Sequence, residues 1–125
     1  NQIAMAGAKD IVKEYYSSGA YRDPERMARF LHDDVQIDWY STQGYRRMDK
    51  DDLIGIVREM QSSYADARLD VSHLVAENDT VASRYSHYVY PIESPNEEML
   101  LAHFSVIWEV KDKRMYRGFV MSQIG

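Results

Sequence analysis

The spacing of apolar positions changes character once along the chain. Between residues 8 and 18 they fall at Ala8, Ile11, Val12, Tyr15 and Tyr16, the i, i+3, i+4, i+7 spacing that predicts a helix with one buried stripe, and Gly19 stops it. Asp23 then offers an N-cap and Pro24 a first helical position, with Met27, Phe30 and Leu31 on one face of a short second helix that ends in His32-Asp33-Asp34. The run Val35-Gln36-Ile37-Asp38-Trp39 alternates with period two and predicts a half-buried strand whose core face carries Val35, Ile37 and Trp39. A loop holding Gly44 and the run Tyr45-Arg46-Arg47-Met48 leads to Asp49. This residue caps a third helix reaching about Ser62, with Leu53, Ile54, Val57 and Met60 buried and Asp51 and Asp52 in the first turn, where the helix dipole favours them. From Leu69 onward period two persists, predicting strands at 69–76, 81–90, 99–110 and 115–124 joined by hairpin-length turns.

Helix, helix, strand, helix and then four strands is an α+β order in which one curved antiparallel sheet wraps a helical layer. Parity at the first hairpin sets which residues share the inner face. A two-residue Asn78-Asp79 turn would set Val71 and Val75 opposite in facing to Val81 and Tyr85, wasting apolar surface. A three-residue loop with Asn78 in the left-handed region pairs odd with odd and is the expected register. It puts Val71, His73 and Val75 on the face of Val81, Ser83, Tyr85 and His87. On the next strand Ala102, Phe104, Val106 and Trp108 point inward, and His103, Ser105 and Glu109 point away.

With 125 residues, 45% of them apolar, the chain has room for one domain with a real core. Its 15 Lys and Arg against 20 Asp and Glu leave a net charge of −5, so no nucleic acid or anionic membrane surface is expected as a partner. There is no Cys, which excludes disulfides, thiolate metal sites and Cys nucleophiles and suits a cytoplasmic setting. No apolar run approaches the roughly 20 residues that span a bilayer. Asn1 to Ala4, ahead of Met5, are expected to be either native chain or an expression remnant and carry no weight in the fold. No phosphate-binding glycine loop, nucleophile elbow or HExxH helix is present, and no cofactor is implied.

The segments Ile11-Val12-Lys13-Glu14-Tyr15, Asp23-Pro24-Glu25-Arg26-Met27-Ala28-Arg29-Phe30-Leu31-His32-Asp33-Asp34-Val35 and Leu74-Val75-Ala76-Glu77-Asn78-Asp79-Thr80-Val81-Ala82 make the chain similar to the nuclear transport factor two-like superfamily, in its SnoaL-like polyketide cyclase and ketosteroid isomerase branch. Each segment records an apolar stripe, a cap or a hairpin, and the resemblance covers nearly the whole length. It implies a cone whose sheet and first helices enclose a pocket open at one end, with the outer sheet face used for dimerisation. Of the isomerase's working groups, the tyrosine donor of the first helix falls on Tyr15. The aspartate base falls on Trp39, with Asp38 one residue away and directed to the other face. The protonated aspartate falls on Ala102. The acid that SnoaL-type cyclases carry on the last strand has no counterpart, because 117–123 holds no Asp or Glu.

By alternation and by the resemblance, Tyr85 and His87 point into the cone near Tyr15 and Trp39. A neutral imidazole there is a candidate general base or acid, and its bland alternative is a wall histidine hydrogen-bonded to a neighbouring Tyr. Tyr15 is the second candidate catalytic group, or a core tyrosine satisfied elsewhere. Trp39, Phe104 and Trp108 form an apolar wall for a ring-shaped ligand, or simply core, and His73 belongs to the sheet interior or rim. His32, Asp33, Asp34 and Asp38 are expected to diverge rather than hold a metal, and Arg46 and Arg47 to form a solvated rim rather than an anion clamp. The expected function is binding of a small, mostly apolar molecule, with isomerase, cyclase or lyase chemistry on a small cyclic substrate. The alternative is a non-catalytic ligand-binding or dimeric assembly module. A homodimer is expected through the outer face, on Ser86, Tyr88, His103, Ser105, Ile107 and Glu109.

Overall fold

The computed structural model describes residues 7–125, so the expectation for Asn1 to Ala4 lies outside the described residues. Helix α1 (Ala8–Ser17) buries Ala8, Val12, Tyr15 and Tyr16 on the stripe the sequence marks out. Gly19, at φ +82, turns the chain through a 3-10 turn (Ala20–Arg22) into α2 (Pro24–Phe30), whose cap Asp23 accepts a hydrogen bond from the Arg26 amide at 3.1 Å. After strands β1 (Leu31–Ser41) and β2 (Gly44–Met48) comes α3 (Lys50–Ser63). It starts in a reciprocal capping box: the Asp52 amide donates to the Asp49 carboxylate at 2.9 Å and the Asp49 amide to the Asp52 carboxylate at 3.0 Å. Strands β3 (Tyr64–Glu77), β4 (Thr80–Pro91), β5 (Met99–Lys111) and β6 (Arg114–Ile124) complete one sheet in the order β2-β1-β6-β5-β4-β3.

The architecture is α+β, with three helices against a curved, unclosed six-stranded sheet, but the sheet is mixed rather than wholly antiparallel. Strand β1 runs parallel to β6, with Ile37 opposite Gly118 and Trp39 opposite Val120. The sequence reading also ends the second helix too late. Leu31 opens β1 opposite Met115, both fully buried, because a side chain that can be sealed between strand and helices is worth more there than in one further helical turn. His32, Asp33 and Asp34 therefore lie in a strand and not at a helix end. The run Tyr45-Arg46-Arg47-Met48 is not a loop but β2, paired with β1 through a two-residue Thr42-Gln43 turn with Gly44 at φ +108. Only Met48 of that strand is buried.

The β3–β4 hairpin departs from the expected register. Glu77 pairs with Thr80 across a two-residue Asn78-Asp79 turn, and Asn78 is indeed left-handed, at φ +54. Beside the turn, odd positions of β3 meet even positions of β4. Val75 opposite Ala82 faces out at 61% exposure, and His73 opposite Arg84 sits on the outer face instead of the interior or rim. A bulge at Ser72 then resets the parity, so that Val71 meets Tyr85 and Leu69 meets His87. From β4 inward the expected facing holds: Val81, Ser83, Tyr85 and His87 pair with Trp108, Val106, Phe104 and Ala102. The outer face carries the cross-strand row Val75, Ala82, Ile107 and Phe119. Among the described residues, no helix is long and apolar enough to cross a membrane.

Candidate functional site

The concave face of the sheet and the inner faces of α1 and α3 surround a cavity of about 300 Å³. Helix α1 contributes Tyr15 and Tyr16 because these consecutive residues both fall within its buried stripe. Helix α3 contributes Leu53, Val57 and Met60, and the strands supply Trp39, Tyr85, His87, Phe104 and Trp108. All six residues that the sequence nominates for ligand contact are thus brought together. Their rings form a chain: Trp108 to Tyr15 at 6.1 Å, Tyr15 to Tyr16 at 5.3 Å, Tyr16 to Tyr85 at 5.2 Å, Tyr85 stacked on Phe104 at 4.9 Å, and Phe104 to His87 at 6.2 Å.

Among the described residues, no Asp, Glu, Lys or Arg lines the cavity. Burial is therefore the main influence on its titratable groups. It pushes the Tyr16 hydroxyl up to about 12 and holds Tyr15 and Tyr85 well above the usual phenol range, so all three are neutral at any physiological pH. The same burial pushes the His87 imidazole down to about 4, so it too is neutral. Its Nε2 is buried without a hydrogen-bond partner among the described residues, so the alternative of a histidine tied to a neighbouring Tyr does not describe it. Tyr21 meets the imidazole only edge-on, at 6.1 Å, and its hydroxyl donates to the Ala67 carbonyl at 3.4 Å.

The tyrosines divide into one that is satisfied and two that are not. Ser83 donates to the Val106 carbonyl at 3.3 Å, so at 2.7 Å Tyr16 is the donor and Ser83 Oγ the acceptor. The hydroxyls of Tyr15 and Tyr85 have no hydrogen-bond partner among the described residues. Trp39 donates its indole N–H to Ser122 Oγ at 2.8 Å. The Trp108 N–H is close enough to the Tyr16 hydroxyl to lower its pKa but has no hydrogen-bond partner among the described residues.

Asp38 turns away from the cone. Its carboxylate accepts from the Tyr45 hydroxyl at 2.5 Å and from Arg47 Nε at 3.0 Å, and these partners hold it below the usual carboxylate range. Arg46 faces Asp52 at 3.9 Å, so both arginines of β2 are engaged with acids. Asp33 pairs with Lys50 at 3.0 Å, while His32 accepts from the Asp34 amide and faces Asp112 at 3.7 Å. Among the described residues, no group of three or more His, Asp or Glu is placed to hold a metal ion.

Sequence reasoning misses Tyr21 and Leu69 as lining residues. Tyr21 sits in a 3-10 turn without periodicity, and Leu69 reaches the inner face only through the Ser72 bulge. No signal in the sequence marks the bulge.

The model of the SnoaL-like domain matches residues 12–118. The chain belongs to the SnoaL-like domain family. No curated protein matches it. Among solved structures, this SnoaL-like domain is similar to IdmH of Streptomyces antibioticus, a candidate polyketide cyclase, with a TM-score of 0.74 at 18% identity over 92% of this chain and 91% of that one. AclR of Streptomyces galilaeus, a candidate hydroxylase, gives 0.75 at 15% identity over 94% and 79%. An LEH-like epoxide hydrolase of M. tuberculosis gives 0.66 at 16% identity over 92% and 81%. At these identities the likeness is one of fold, and the fold hosts several chemistries.

Proposed function

We propose that this SnoaL-like domain binds a small, mostly apolar ring compound in the cone and acts on it by acid–base chemistry of the isomerase, cyclase or lyase type. His87 serves as the proton-transferring group and Tyr15 as a hydrogen-bond donor to the reacting oxygen. The observation that carries this reading is the His87 imidazole, neutral and unpartnered at Nε2, in a cavity walled by aromatic rings. A buried polar group without a partner costs stability, and its place on a residue that lines the cone supports a role in contact with ligand. Relatives of the same fold bearing names of cyclase, hydroxylase and epoxide hydrolase support a pocket-based activity by analogy.

A non-catalytic binding module is the second reading, favoured by one observation: among the described residues the lining holds no carboxylate, the commonest partner for a proton-transferring histidine. Homodimerisation through the outer sheet face belongs to either reading and is supported by exposed Val75, Ile107, Phe119 and Met121 on that face. The absence of cysteine supports a cytoplasmic setting.

The test is a panel of uncharged monocyclic to tricyclic compounds. Compounds that fill the cone raise the melting temperature and change the fluorescence of Trp39 and Trp108. If a compound that binds is also turned over, His87→Phe abolishes turnover with little loss of binding. Failure of the whole panel to bind overturns the reading, and binding without turnover by any member favours the second one.

A further inference from the structure

Tyr21 and Met60 line the cone and also line a second cavity, of about 400 Å³, at the corner where α3 runs without a loop into β3. Tyr21 stands edge-on to His87 at 6.1 Å, so the two cavities meet beside that imidazole. Their chemistry differs. Rings and aliphatic groups dominate the cone, whereas the second cavity carries Arg22, Gln61, Tyr64 and Asp66. Hydrogen bonds hold this corner in shape. Arg22 Nη1 donates to Asp66 Oδ1 at 2.7 Å and to the Ala67 carbonyl at 3.3 Å, Gln61 Nε2 donates to the Arg22 carbonyl at 3.0 Å, and Asp66 Oδ1 also accepts from the Ala67 amide at 2.8 Å. A bulge at Ala65 interrupts the β3–β4 ladder at the same place, between the pairs Tyr64–Pro91 and Asp66–Tyr90. These bonds use only part of each group's capacity. Arg22 Nη2, Gln61 Oε1, Asp66 Oδ2 and the Tyr64 hydroxyl have no hydrogen-bond partner among the described residues.

We propose that the second cavity is a sugar subsite, taking the glycosyl part of a ligand whose apolar ring sits in the cone. This rests on the reading of the cone as a binding site and extends the ligand from a bare ring compound to its glycoside. The guanidinium and the carboxylate, paired at 2.7 Å, offset each other, so neither an anion nor a cation has an unopposed partner there. A neutral group that both donates and accepts can use both of them. Neighbouring hydroxyls of a sugar are such a group: one donates to the free carboxylate oxygen of Asp66 or to Gln61 Oε1, and the next accepts from Arg22 Nη2 or the Tyr64 hydroxyl. The cone, with its apolar lining, has no comparable set of paired donors and acceptors.

The experiment uses 2-naphthyl β-D-glucoside, 2-methoxynaphthalene, which keeps the rings and the ether oxygen without the sugar, and the anion 2-naphthyl phosphate, followed by calorimetry and melting temperature. Wild type should bind the glucoside about tenfold more tightly than the methyl ether, with the phosphate weaker than the glucoside. Gln61 and Asp66 are exposed, so Gln61→Ala and Asp66→Ala should fold normally. Each should lower affinity for the glucoside about threefold and leave affinity for the ether unchanged, and the double variant should bind the two alike. A glucoside held by wild type no more tightly than the ether, unchanged glucoside binding in the double variant, an equal loss of ether binding in both single variants, or preference for the phosphate overturns the inference while leaving the cone as a binding site. No binding of any of the three compounds, in a wild type shown to be folded, overturns both.

Discussion

The six-membered ring of Trp108 rests on the backbone of Gly118, its partner across the β5–β6 ladder: a Cβ at position 118 would lie 2.7 Å from Trp108 Cζ3. The backbone of Gly118 is ordinary for a strand, so what the position requires is the absence of a side chain. The indole is pressed between this strand and Tyr15, and so the back of the cavity is set by a glycine outside it.

Gly118→Ala should therefore destabilise the fold by roughly 1–3 kcal/mol, the usual range for overpacking a filled core. Urea denaturation at neutral pH measures it. Trp108→Leu in the same chain should recover part of the loss, giving a coupling between the two substitutions. An alanine variant as stable as wild type would show that the indole can move freely.

His87 sets a pH dependence. Its folded-state pKa of about 4 lies below the unfolded value of about 6.5, so the unfolded chain binds the extra proton first. The stabilisation is fully present above about pH 6.5 and is lost as the pH falls toward 4, by roughly 3 kcal/mol in total. Glu98, held down to about 2 by Arg68 and Tyr90, and Asp38, held down by Tyr45 and Arg47, lose their contributions only at lower pH. In the window from about 4.5 to 6.5, His87→Phe should flatten the stability profile. An NMR titration placing the His87 pKa at its ordinary value would defeat the prediction.

A 5-ene-3-ketosteroid should not be isomerised above the rate in buffer. Trp39 and Ala102 stand where the resemblance puts the isomerase's acids, and Asp38 is bound to Tyr45 and Arg47 on the other face. The appearance of the conjugated enone in the ultraviolet provides the assay. Isomerisation abolished by Asp38→Asn would place that carboxylate inside the cone.

On the outer face, Ile107 lies opposite Phe119. Light scattering at micromolar concentration should give twice the 14.6 kDa chain mass, and Phe119→Asp should return it to one chain mass without lowering helix content. A wild-type value of 14.6 kDa would rule out a dimer at that concentration.

Local physics explains which parts of this structure could be read from sequence. The helices were legible because α1 carries a clean 3.6-residue stripe ended by Gly19, and α2 and α3 add the caps Asp23 and Asp49 to theirs. The inward set Tyr85, His87, Phe104 and Trp108 was legible because β4 and β5 alternate cleanly across a regular register. Strand β2 was not: its outward residues are charged or aromatic, and it is held by Asp38–Arg47 and by pairing with β1, neither visible within a local window. The parallel β1–β6 pair joins residues about eighty positions apart, beyond any periodicity argument. In the candidate site, the residues themselves were legible but not their hydrogen-bonding state. That depends on how Ser83, Ser122 and Ala67 meet Tyr16, Trp39 and Tyr21 in space.

At Ser72 the sheet has a position where chain length and side-chain facing are uncoupled. Ser72 is the extra residue between the pairs Val71–Tyr85 and His73–Arg84, and its hydroxyl is bonded to the Arg84 carbonyl at 3.2 Å. Removing it would leave every one of those partners in place and restore plain alternation, whereas removing Asp70 would slide the start of β3 by one step and carry Leu69 out of the cone. Loss of the one extra residue at this joint is absorbed as a change of bend in the sheet rather than as slippage, so the cavity wall can keep its facing while the curvature changes.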